Sequence, residues 1–469
     1  MIRRLAFGAA SILGFAAGAL ADDEPAGLRL PQLDTAPQIE ARKSYSVPAL
    51  EIIGFDLLLN QFNRRYFEGD DYDTSLSSIK RNLQSGWVTD TDPYNINQLG
   101  HPYQGSMYHG FARSAGLGYW ESAAYTFGGS LFWEIAGETT PPSRNDQINS
   151  GIGGSFLGEA LFRMSSLMLE RGGGVPKFWR ELGAAVVSPP TGFNRLAFGE
   201  RFDPVFSSRS APYYSRAGLA LSGTTKIEDG SSSSTHLQRD EVLADFSIDY
   251  GLPGNADYVY RRPFDYFAFQ LTASSANAIE NVLTRGLLVG DDYHFGARYR
   301  GVWGLYGSYD YIAPQIYRVS STALSLGTTA ELRLSDLVAL QGTLLGGVGY
   351  AAVGTVNATT DTEYHYGLAP QALLALRLIF GDRVSLDLTG REYFVSEVAA
   401  ANTGGHDNII RVDAALTLRL YRQQAVAIRY LHNRRDASFP GGDITQTRAT
   451  LGLFYVLLGH DRFGVFNWR

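Results

Sequence analysis

The sequence of 469 residues contains no cysteine. This absence excludes disulfide bonds, cysteine nucleophiles, thiolate metal sites and the acylated cysteine of a lipoprotein. Lysine is also rare, since only four of the 40 basic residues are lysines, so arginine supplies most of the cationic donors. The net charge of −7 is small for this length and argues against nucleic-acid binding through bulk charge.

Long apolar runs are missing after the first residues of the chain. Residues 1–21 begin with Arg3 and Arg4, continue with an apolar stretch and end on an Ala-x-Ala motif. This pattern predicts a signal peptide, because the stretch is short for a membrane helix of about 20 residues. A membrane anchor is the alternative. If the mature chain crosses a membrane, it must do so with strands.

Several enzyme motifs are missing as well. The chain has no G-x-S-x-G nucleophile elbow and no H-E-x-x-H zinc motif. The glycines at 172–174 precede Val-Pro rather than the Gly-Lys-Ser/Thr of a phosphate-binding loop. The sequence therefore offers no standard signature for a serine hydrolase, a zinc protease or a nucleotide-binding protein.

Strict alternation is the strongest pattern that the sequence does contain. In residues 411–420 the even positions are apolar, while the odd positions include Arg411, Asp413 and Arg419. Successive side chains of a strand point to opposite faces, so this pattern predicts one apolar and one charged face. Twelve such strands are predicted, at approximately 215–225, 239–251, 264–275, 282–290, 293–311, 320–334, 337–353, 363–380, 383–396, 408–421, 424–434 and 444–458.

The predicted fold class is an antiparallel transmembrane β-barrel of about twelve strands with an α-helical N-terminal module. The connections alternate between tight turns at 335–336, 381–382 and 422–423 and longer polar segments at 226–238, 355–362, 397–407 and 435–443. If the tight turns face the periplasm, the helices plug or cap the periplasmic end or enter the lumen. A soluble β-sandwich is the alternative, because its strands alternate too.

Aromatic residues cluster near the predicted strand ends and favour the membrane interpretation. Amphipathic rings at these places predict belts at the two lipid–water interfaces. The three clusters are Tyr250, Tyr258, Tyr260, Phe264, Tyr266 and Phe267; Tyr306, Tyr309, Tyr311 and Tyr317; and Tyr364 with Tyr366.

The predicted domains are a signal peptide at 1–21, a periplasmic linker at 22–48, a helical module at 49–200 and the barrel at 201–469. Within the module, residues 97–115, 119–137 and 152–169 have helical patterns. Glycines 151, 154 and 158 share one face of the third helix, where another backbone can approach closely.

The charged face of the predicted strands should line the lumen. Mixed charges on neighbouring strands predict either a bracing network of ion pairs or the charged rings of a selective pore. The predicted lumen-lining residues are Asp245, Asp249, Glu331, Arg333, Asp387, Arg391, Arg411, Asp413, Arg419, Arg429 and Arg448.

The helical module contains ionisable residues in apolar surroundings, and these need partners or shifted pKa values. They predict either ion pairs that hold the helices together through Arg113 and Arg163, or an acid–base or metal site. In the first case, Glu134 or Glu138 would pair with one of these arginines. The metal signal is weak because the residues are far apart in sequence. The candidate catalytic residues are His101, Glu134, Glu138, Asp146 and Glu159.

Several motifs between residues 75 and 200 are specific. They include His101-Pro-Tyr-Gln-Gly-Ser-Met-Tyr108, Trp133-Glu134 followed by Gly137-Glu138, Pro142-Ser143 with Asn145-Asp146, and Gly158-Glu159. The region resembles a domain of unknown function that occurs in Gram-negative bacteria upstream of a predicted outer-membrane barrel. The resemblance implies a location and an architecture, and it implies no reaction.

Three functions remain open from the sequence. The first is a plugged outer-membrane channel or structural membrane protein. The second is a lipid- or saccharide-acting hydrolase whose site lies in the helical module, and the third is a soluble exported binding protein. The expected partners are outer-membrane lipids, the barrel-assembly machinery and a small solute or lipid, with no nucleic acid.

Overall fold

The computed structural model describes residues 42–67, 69–90, 92–170, 174–202, 204–206, 211–230, 237–356, 362–397, 404–460 and 463–464. The chain forms two compact units. A barrel unit contains Thr91–Gly100 and Ser207–Arg469, and a helical unit contains Ala19–Asp90 and His101–Phe206. The predicted signal peptide and most of the predicted linker lie outside the described residues.

The barrel unit is a closed antiparallel barrel of twelve strands in which β1 pairs with β12, and every other pairing is sequential. This confirms the predicted fold class and all twelve predicted strands. The strands are β1 Tyr213–Asp229, β2 Asp240–Tyr250, β3 Phe267–Ser274, β4 Asn281–Phe295, β5 Tyr299–Ile312, β6 Tyr317–Arg333, β7 Val338–Thr355, β8 Tyr364–Phe380, β9 Val384–Glu397, β10 His406–Tyr421, β11 Gln424–Phe439 and β12 Gly442–Leu458.

The alternation in the sequence separates an apolar outer face from an inner face that carries the charges. In β10, Leu416 is 50% exposed whereas Arg411 is buried. Directly paired residues share a face, so each outward position can be followed around the barrel. Exposed apolar side chains occupy outward positions on β1 and on β6 to β12, including Leu219, Leu221, Leu324, Leu326, Leu344, Val348, Leu368, Leu374, Leu386, Leu388, Leu416, Leu418, Ile428, Leu451 and Leu453.

Several strand boundaries differ from the predicted ones, and β1, for example, continues to Asp229, into the predicted connection 226–238. The polar segment 435–443 is not a long loop, because β11 continues to Phe439 and β12 begins at Gly442. Arg435 in this extension donates to Asp407 on β10 at 2.6 Å, so inter-strand pairing continues through polar residues. β4 continues to Phe295 because a bulge between Leu287 and Val289 shifts its alternation.

The β2–β3 connection, residues 251–266, is long although it lies at the end of the tight turns. Asp265 organises it by accepting hydrogen bonds from the backbone N–H groups of Arg261 and Arg262 at 2.8 and 2.7 Å. Gly251 has φ +73°, and a Cβ there would lie 1.8 Å from the Asp265 carbonyl oxygen. Only glycine fits this position. The connection places Tyr266 in the lumen, with its ring centroid 6.1 Å from that of Tyr306.

The predicted aromatic belts are wrong for all three clusters. The residues of the first two clusters are buried, and in the third Tyr366 is buried and Tyr364 is half-buried. Tyr266, Tyr306 and Tyr317 point inward, where they fill the barrel. Aromatic rings near strand ends can pack into a narrow lumen as well as anchor at an interface, and the sequence does not distinguish these uses.

Residues 92–100, part of the predicted helical module, lie on the outer face of the barrel. Tyr309 donates to the Gln98 carbonyl oxygen at 2.5 Å, and Gln98 Nε2 donates to Tyr366 Oη at 2.8 Å. Tyr309 pairs with Thr322, which shares the outward side of β6 with Leu326, a residue that is 66% exposed. This short segment therefore covers aromatic residues that sequence reasoning placed against lipid.

The lumen contains an apolar cluster at the end of the longer connections. Its members are almost fully buried, and they come from the starts and ends of β4 to β10. The cluster consists of Leu283, Ile312, Ile316, Tyr317, Val319, Ala351, Val353, Ala369, Tyr393, Val395 and Ile409. Inward side chains therefore make an apolar cluster at this end of the barrel, whereas the sequence predicts charged residues along the lumen.

The helical unit is built around a central pair of packed helices, α3 and α6. Its helices are α1 Ser46–Tyr66, α2 Leu76–Gln84, α3 His101–Ser114, α4 Tyr119–Phe132, α5 Arg144–Ile148, α6 Gly154–Glu170, α7 Lys177–Val187 and α8 Pro189–Phe198. Single π-helical turns occupy Ile96–Gly100 in the barrel unit and Trp133–Gly137 and Asn149–Gly153 in the helical unit. None of the described helices is long and apolar enough to cross a membrane.

Helical structure begins earlier than predicted in the third helical region. Residue 152 is the predicted start, but α5 begins at Arg144 and a π turn connects it to α6. The Ser143 side chain caps α5 by accepting from Asp146 N at 3.3 Å. A serine and an acidic residue three positions apart could have indicated this start from the sequence.

Glycines allow α3 and α6 to approach each other closely. A Cβ on Gly105 would lie 2.0 Å from the Ser150 carbonyl oxygen, and a Cβ on Gly158 would lie 2.7 Å from His109 Cβ. The two backbones are therefore in direct contact, which places the polar side chains of both helices side by side.

Candidate functional site

The first polar cluster of the helical unit, the Glu159 cluster, consists of His109, Arg113, Glu159 and Arg163, which are all buried. Glu159 Oε2 accepts from Arg113 Nε at 2.7 Å and lies 3.0 Å from His109 Nε2. Glu159 Oε1 accepts from Arg163 Nε at 2.8 Å and from Arg113 Nη2 at 3.2 Å. Three basic side chains therefore surround one carboxylate.

Burial and the neighbouring charges determine the protonation states of Glu159 and His109. Burial by itself would raise the pKa of Glu159, but Arg113, His109 and Arg163 together hold it well below its usual range. Burial lowers the pKa of His109, and its hydrogen bond with Glu159 offsets this only in part. A carboxylate that stays ionised between two guanidinium groups is a poor proton donor, so the cluster acts as a clamp between α3 and α6.

The second polar cluster, the His101 cluster, consists of Asp90, His101, Asn145 and Asp146. His101 Nε2 lies 3.8 Å from Asp146 Oδ1. Asn145 Nδ2 joins the two carboxyl groups, because it donates to Asp146 Oδ1 at 3.0 Å and to Asp90 Oδ1 at 3.3 Å. On the other side of the imidazole ring, Ser150 Oγ lies 3.5 Å from His101 Nδ1.

Burial drives both titratable partners of the His101 cluster toward their neutral forms. Burial lowers the pKa of His101 to about 4, and the charge of Asp90 offsets this only in part. Burial and then the contact with Asp90 raise the pKa of Asp146 well above its usual range. Both shifts disfavour an ion pair between the two groups. The separation of 3.8 Å between His101 Nε2 and Asp146 Oδ1 is also longer than a hydrogen bond.

Two of the remaining candidates lie near this second cluster. Glu134 Oε2 accepts from the backbone N–H of Ser143 at 2.7 Å, and Ser143 Oγ donates to Asn145 Oδ1 at 2.7 Å. Glu138 accepts from Trp133 Nε1 at 2.7 Å and from Thr140 Oγ1 at 3.1 Å. Both glutamates therefore hold the segment between α4 and α5.

The five candidates do not form one site. The structure connects His101, Asp146 and Glu134 through Ser143 and Asn145, whereas Glu159 belongs to the other cluster. The predicted pairing of Glu134 or Glu138 with Arg113 or Arg163 is wrong in the described part of the chain, because Glu159 takes both guanidinium groups. Among these residues, no group of three or more metal-ligating side chains has the geometry to hold an ion.

Sequence reasoning missed His109 and Asp90. His109 lies four residues before Arg113 on α3, so the two share a helix face, and that spacing was a usable signal. Asp90 becomes part of the His101 cluster only through tertiary contacts with Asn145, and local spacing contains no sign of this. All five candidates are buried, whereas Asp90 of the His101 cluster is only half-buried.

The second site of interest is the lumen, where ion pairs cross between strands that are not neighbours. Arg377 on β8 donates to Asp249 on β2 at 3.1 Å and to Asp387 on β9 at 2.6 Å. Arg391 on β9 reaches Asp310 on β5 at 3.0 Å. These side chains meet in the interior of the barrel, where Arg377, Asp249, Asp387 and Arg391 line a remaining cavity of about 110 Å³.

The remaining predicted lumen residues have the following partners. Arg429 donates to Asp245 at 2.6 Å and pairs with Asp413. Glu331 accepts from Gln341, Arg411 donates to Asn433, and Arg448 pairs with Glu241. Arg333 and Arg419 lie at the rim, where they contact Asp336 and Asp382 of the tight turns.

The prediction did not include Arg216, Glu241, Asp310 and Arg377, nor the buried pair of Arg435 and Asp407. Arg216 and Asp310 lie within predicted strands, and alternation could have assigned them. Arg377 is an isolated charge in the apolar run of residues 372–380, which obscures its role. Asp387 pairs directly with Arg377 on the neighbouring strand β9, whereas only barrel closure brings Asp249 on β2 near β8.

Residues 86–190 match DUF3943, a domain of unknown function. The match covers the two polar clusters of the helical unit and extends into neither β1 nor any later strand. No curated protein matches the sequence.

Solved outer-membrane proteins are similar to the chain over the barrel. The Pseudomonas putida toluene transporter TodX has 9% identity and a TM-score of 0.23, covering 53% of this chain and 89% of that one. The outer membrane channel DcaP of Acinetobacter baumannii has 8% identity and a TM-score of 0.23, covering 54% and 99%. The translocator domain of autotransporter NalP from Neisseria meningitidis has 11% identity and a TM-score of 0.24, covering 53% and 89%. Likeness at this level assigns no ligand and no activity.

Proposed function

We propose that this chain is an integral outer-membrane β-barrel protein whose lumen is closed and which serves as a structural membrane protein rather than an open pore. The proposal includes export of a Gram-negative protein by the signal peptide at residues 1–21. It also includes outer-membrane lipids and the barrel-assembly machinery as partners. The molecular activity carried by the helical unit is not part of it.

The outer face of the barrel supports membrane insertion. Rows of exposed leucines on β1 and β6 to β12 would be unfavourable in water, because apolar surface costs roughly 25 cal/mol per Å² when solvated. A closed barrel leaves no unpaired strand edge, which is the condition for strands to enter hydrocarbon.

The observation that carries the closed lumen is the pairing of Arg377 with Asp249 and Asp387 across the interior. An ion pair between opposite strands occupies the space that a solute would need. The apolar cluster with Tyr317 and Tyr393 makes a second barrier at the end of the longer connections. Closure by the barrel's own side chains would keep the lumen shut without a helical plug.

The test is conductance and membrane extraction of the full chain. In planar bilayers of phosphatidylethanolamine and phosphatidylglycerol, we expect no steady current from the wild type, although flotation shows its insertion. The triple variant Arg377→Ala, Tyr317→Ala and Tyr393→Ala removes both barriers and should conduct, while Tyr430→Ala on the outer face should stay silent. A steady open-pore current from the wild type contradicts the closed lumen, and release from membranes without detergent contradicts the location.

The acid–base hypothesis is the second candidate, and one observation favours it. His101 and Asp146 face each other with pKa values shifted in opposite directions, which is a pattern of catalytic pairs. Purified protein incubated with outer-membrane lipids should give a product by mass spectrometry that is lost in folded His101→Ala and Glu134→Gln variants. A product that persists in both variants contradicts the assignment.

A further inference from the structure

The first helix of the helical unit has its polar side buried and its apolar side exposed. The buried stripe of α1 contains Asp56, Asn60 and Asn63 at spacings of four and three residues. The opposite stripe exposes Leu57 and Leu58, and Leu58 is 73% exposed. Water-soluble helices place these two kinds of residue the other way round.

The buried polar residues of α1 contact other parts of the unit. Asp56 Oδ1 accepts from Tyr108 Oη on α3 at 2.5 Å. Asn60 Nδ2 donates at 2.9 Å to the carbonyl oxygens of Tyr72 and Gly137. The polar stripe is therefore held by specific hydrogen bonds, so α1 cannot rotate to exchange its two faces without breaking them.

The same inversion occurs on α4 and α8. In α4, Ser122, Thr126 and Ser130 are buried while Trp120 is exposed. In α8, the buried residues are Pro190, Thr191 and Asn194, whereas Leu196 is 88% exposed. Three separate helices therefore share one arrangement, which excludes an accident of a single segment.

The interior of the unit is built like that of a membrane protein. Helices α3 and α6 approach through Gly105, Gly154 and Gly158, and close contact over small residues is the usual way in which helices pack in lipid. The ionised Glu159 is fully enclosed by its basic partners, as is usual for charges within a bilayer.

We propose that the helical unit is itself embedded in lipid, with the exposed faces of α1, α4, α7 and α8 in contact with acyl chains. These helices pack around α3 and α6, so their apolar rows face more than one side of the unit. A protein partner covers one patch, whereas a lipid phase contacts every side. Because none of the described helices can cross a membrane, the unit enters lipid without spanning it.

The ends of these helices fit an interfacial depth. Arg64 and Arg65 lie in the last turn of α1, and Lys177 begins α7 next to Phe178 and Trp179. Tryptophan and basic side chains favour the region of the lipid headgroups, where ring and charge are both accommodated. The inference goes beyond the proposed function, which concerns the barrel alone.

The absence of native cysteine makes a labelling experiment direct. Single variants Leu57→Cys, Leu196→Cys, Leu418→Cys and Lys80→Cys of the full chain are spin-labelled and reconstituted in vesicles of phosphatidylethanolamine and phosphatidylglycerol. Collision rates with apolar oxygen and with a polar nickel chelate are then compared by electron paramagnetic resonance. We expect the collision rate with oxygen to exceed that with the nickel chelate at Leu57 and Leu196. At Lys80, an exposed position on α2, we expect the rate with the nickel chelate to be higher.

Leu418 on the outer face of β10 separates this inference from the proposed function. One outcome is a collision rate that is higher with oxygen at Leu418 but higher with the nickel chelate at both Leu57 and Leu196. This outcome overturns the inference and leaves the membrane barrel intact. Low collision rates with both reagents at Leu57 and Leu196 mean that protein covers these faces, which also overturns it. A higher collision rate with the nickel chelate than with oxygen at Leu418 overturns the membrane barrel itself.

Discussion

The barrel and the helical unit both bury polar clusters and expose apolar side chains, but they achieve this in different ways. The barrel uses alternation along each strand, and its charges meet across the lumen as in Arg377 with Asp249. The helical unit uses stripes three and four residues apart, and Asn60, for example, donates hydrogen bonds to two backbone carbonyl oxygens. Buried polar clusters beside exposed apolar rows therefore occur in both units, and they are more easily recognised in strands than in helices.

The two units also differ in how each charge is balanced. In the barrel, two arginines each bridge two acidic residues, as Arg429 does with Asp245 and Asp413. In the helical unit, one glutamate is shared by two arginines and a histidine. Loss of the central residue therefore removes a shared cation from acids in the barrel but a shared carboxylate from cations in the helices. The variants below test whether this difference affects stability.

The largest effect is expected for Glu159→Gln. The change leaves the buried guanidinium groups of Arg113 and Arg163 without their common carboxylate, which should cost about 3–5 kcal/mol in the free energy of unfolding. Chemical denaturation followed by helical circular dichroism measures this. Glu181→Gln is the matched control, because Glu181 pairs with Arg195 near the surface and should cost about 0–1 kcal/mol. Equal effects of the two variants would contradict the clamp.

A smaller effect is expected for Gly105→Ala, which tests the packing of α3 on α6. The new Cβ would lie 2.0 Å from the Ser150 carbonyl oxygen, so the helices must separate. Overpacking of this kind costs about 1–3 kcal/mol. Gly128→Ala on α4 is the control, because its Cβ would meet no atom within 4 Å. Unfolding midpoints that fall equally in both variants would show that the close approach is not what matters.

A comparable or smaller effect is expected for Arg429→Gln in the barrel. Glutamine can still donate to one of the two acids, and Asp245 keeps the Gln270 amide at 2.8 Å. We expect a loss of about 1–3 kcal/mol, smaller than for Glu159→Gln, because the remaining donors satisfy part of the buried charge. The heat-induced mobility shift in gel electrophoresis reports barrel unfolding. A loss larger than that of Glu159→Gln would reverse the comparison.

The amount that the sequence predicts differs between the two units for a physical reason. All twelve strands are visible because a period of two separates the faces of each strand without reference to its neighbours. The closure of the lumen is not visible, because the pair of Arg377 with Asp249 and the cluster that contains Tyr317 and Tyr393 form only after the barrel closes. The rings of Tyr309 and Tyr366 were placed in lipid because nothing in the sequence indicates that residues 92–100 cover them.

In the helical unit, local spacing predicts contacts between residues of one helix, but it does not predict the clusters that several helices form together. Glu159 and Arg163 are four residues apart on α6, so their contact follows from helix geometry. Their contacts with His109 and Arg113 depend on how α3 packs, which the glycines permit but do not specify. The polar stripe of Asp56, Asn60 and Asn63 could have been identified from its spacing. It was missed because acidic and amide residues on a helix are ordinarily assigned to solvent.

The smallest expected effect concerns pH and the buried side of α1. Burial raises the pKa of Asp56 to about 8, and the hydrogen bonds from Tyr108 and Gln104 offset this only in part. Asp56 Oδ2 has no hydrogen-bond partner among the described residues, which suits a protonated carboxyl group. The folded state therefore binds this proton more tightly than the unfolded state, in which the pKa is about 3.9. The stability that this proton contributes is present at low pH and is lost as pH rises toward about 8.

The prediction is a free energy of unfolding that falls from about pH 6.5 to about pH 8 in the wild type, by on the order of 1 kcal/mol per pH unit. Asp56→Asn keeps the shape without the titrating group, so its decline should be shallower. Glu51, whose pKa burial raises to about 7, titrates in the same window, so the difference between the two proteins isolates Asp56. The neutral form of His101 is unaffected there, since burial lowers its pKa to about 4. Parallel pH profiles would show that Asp56 is solvated, and the inverted face of α1 would then lose its principal support.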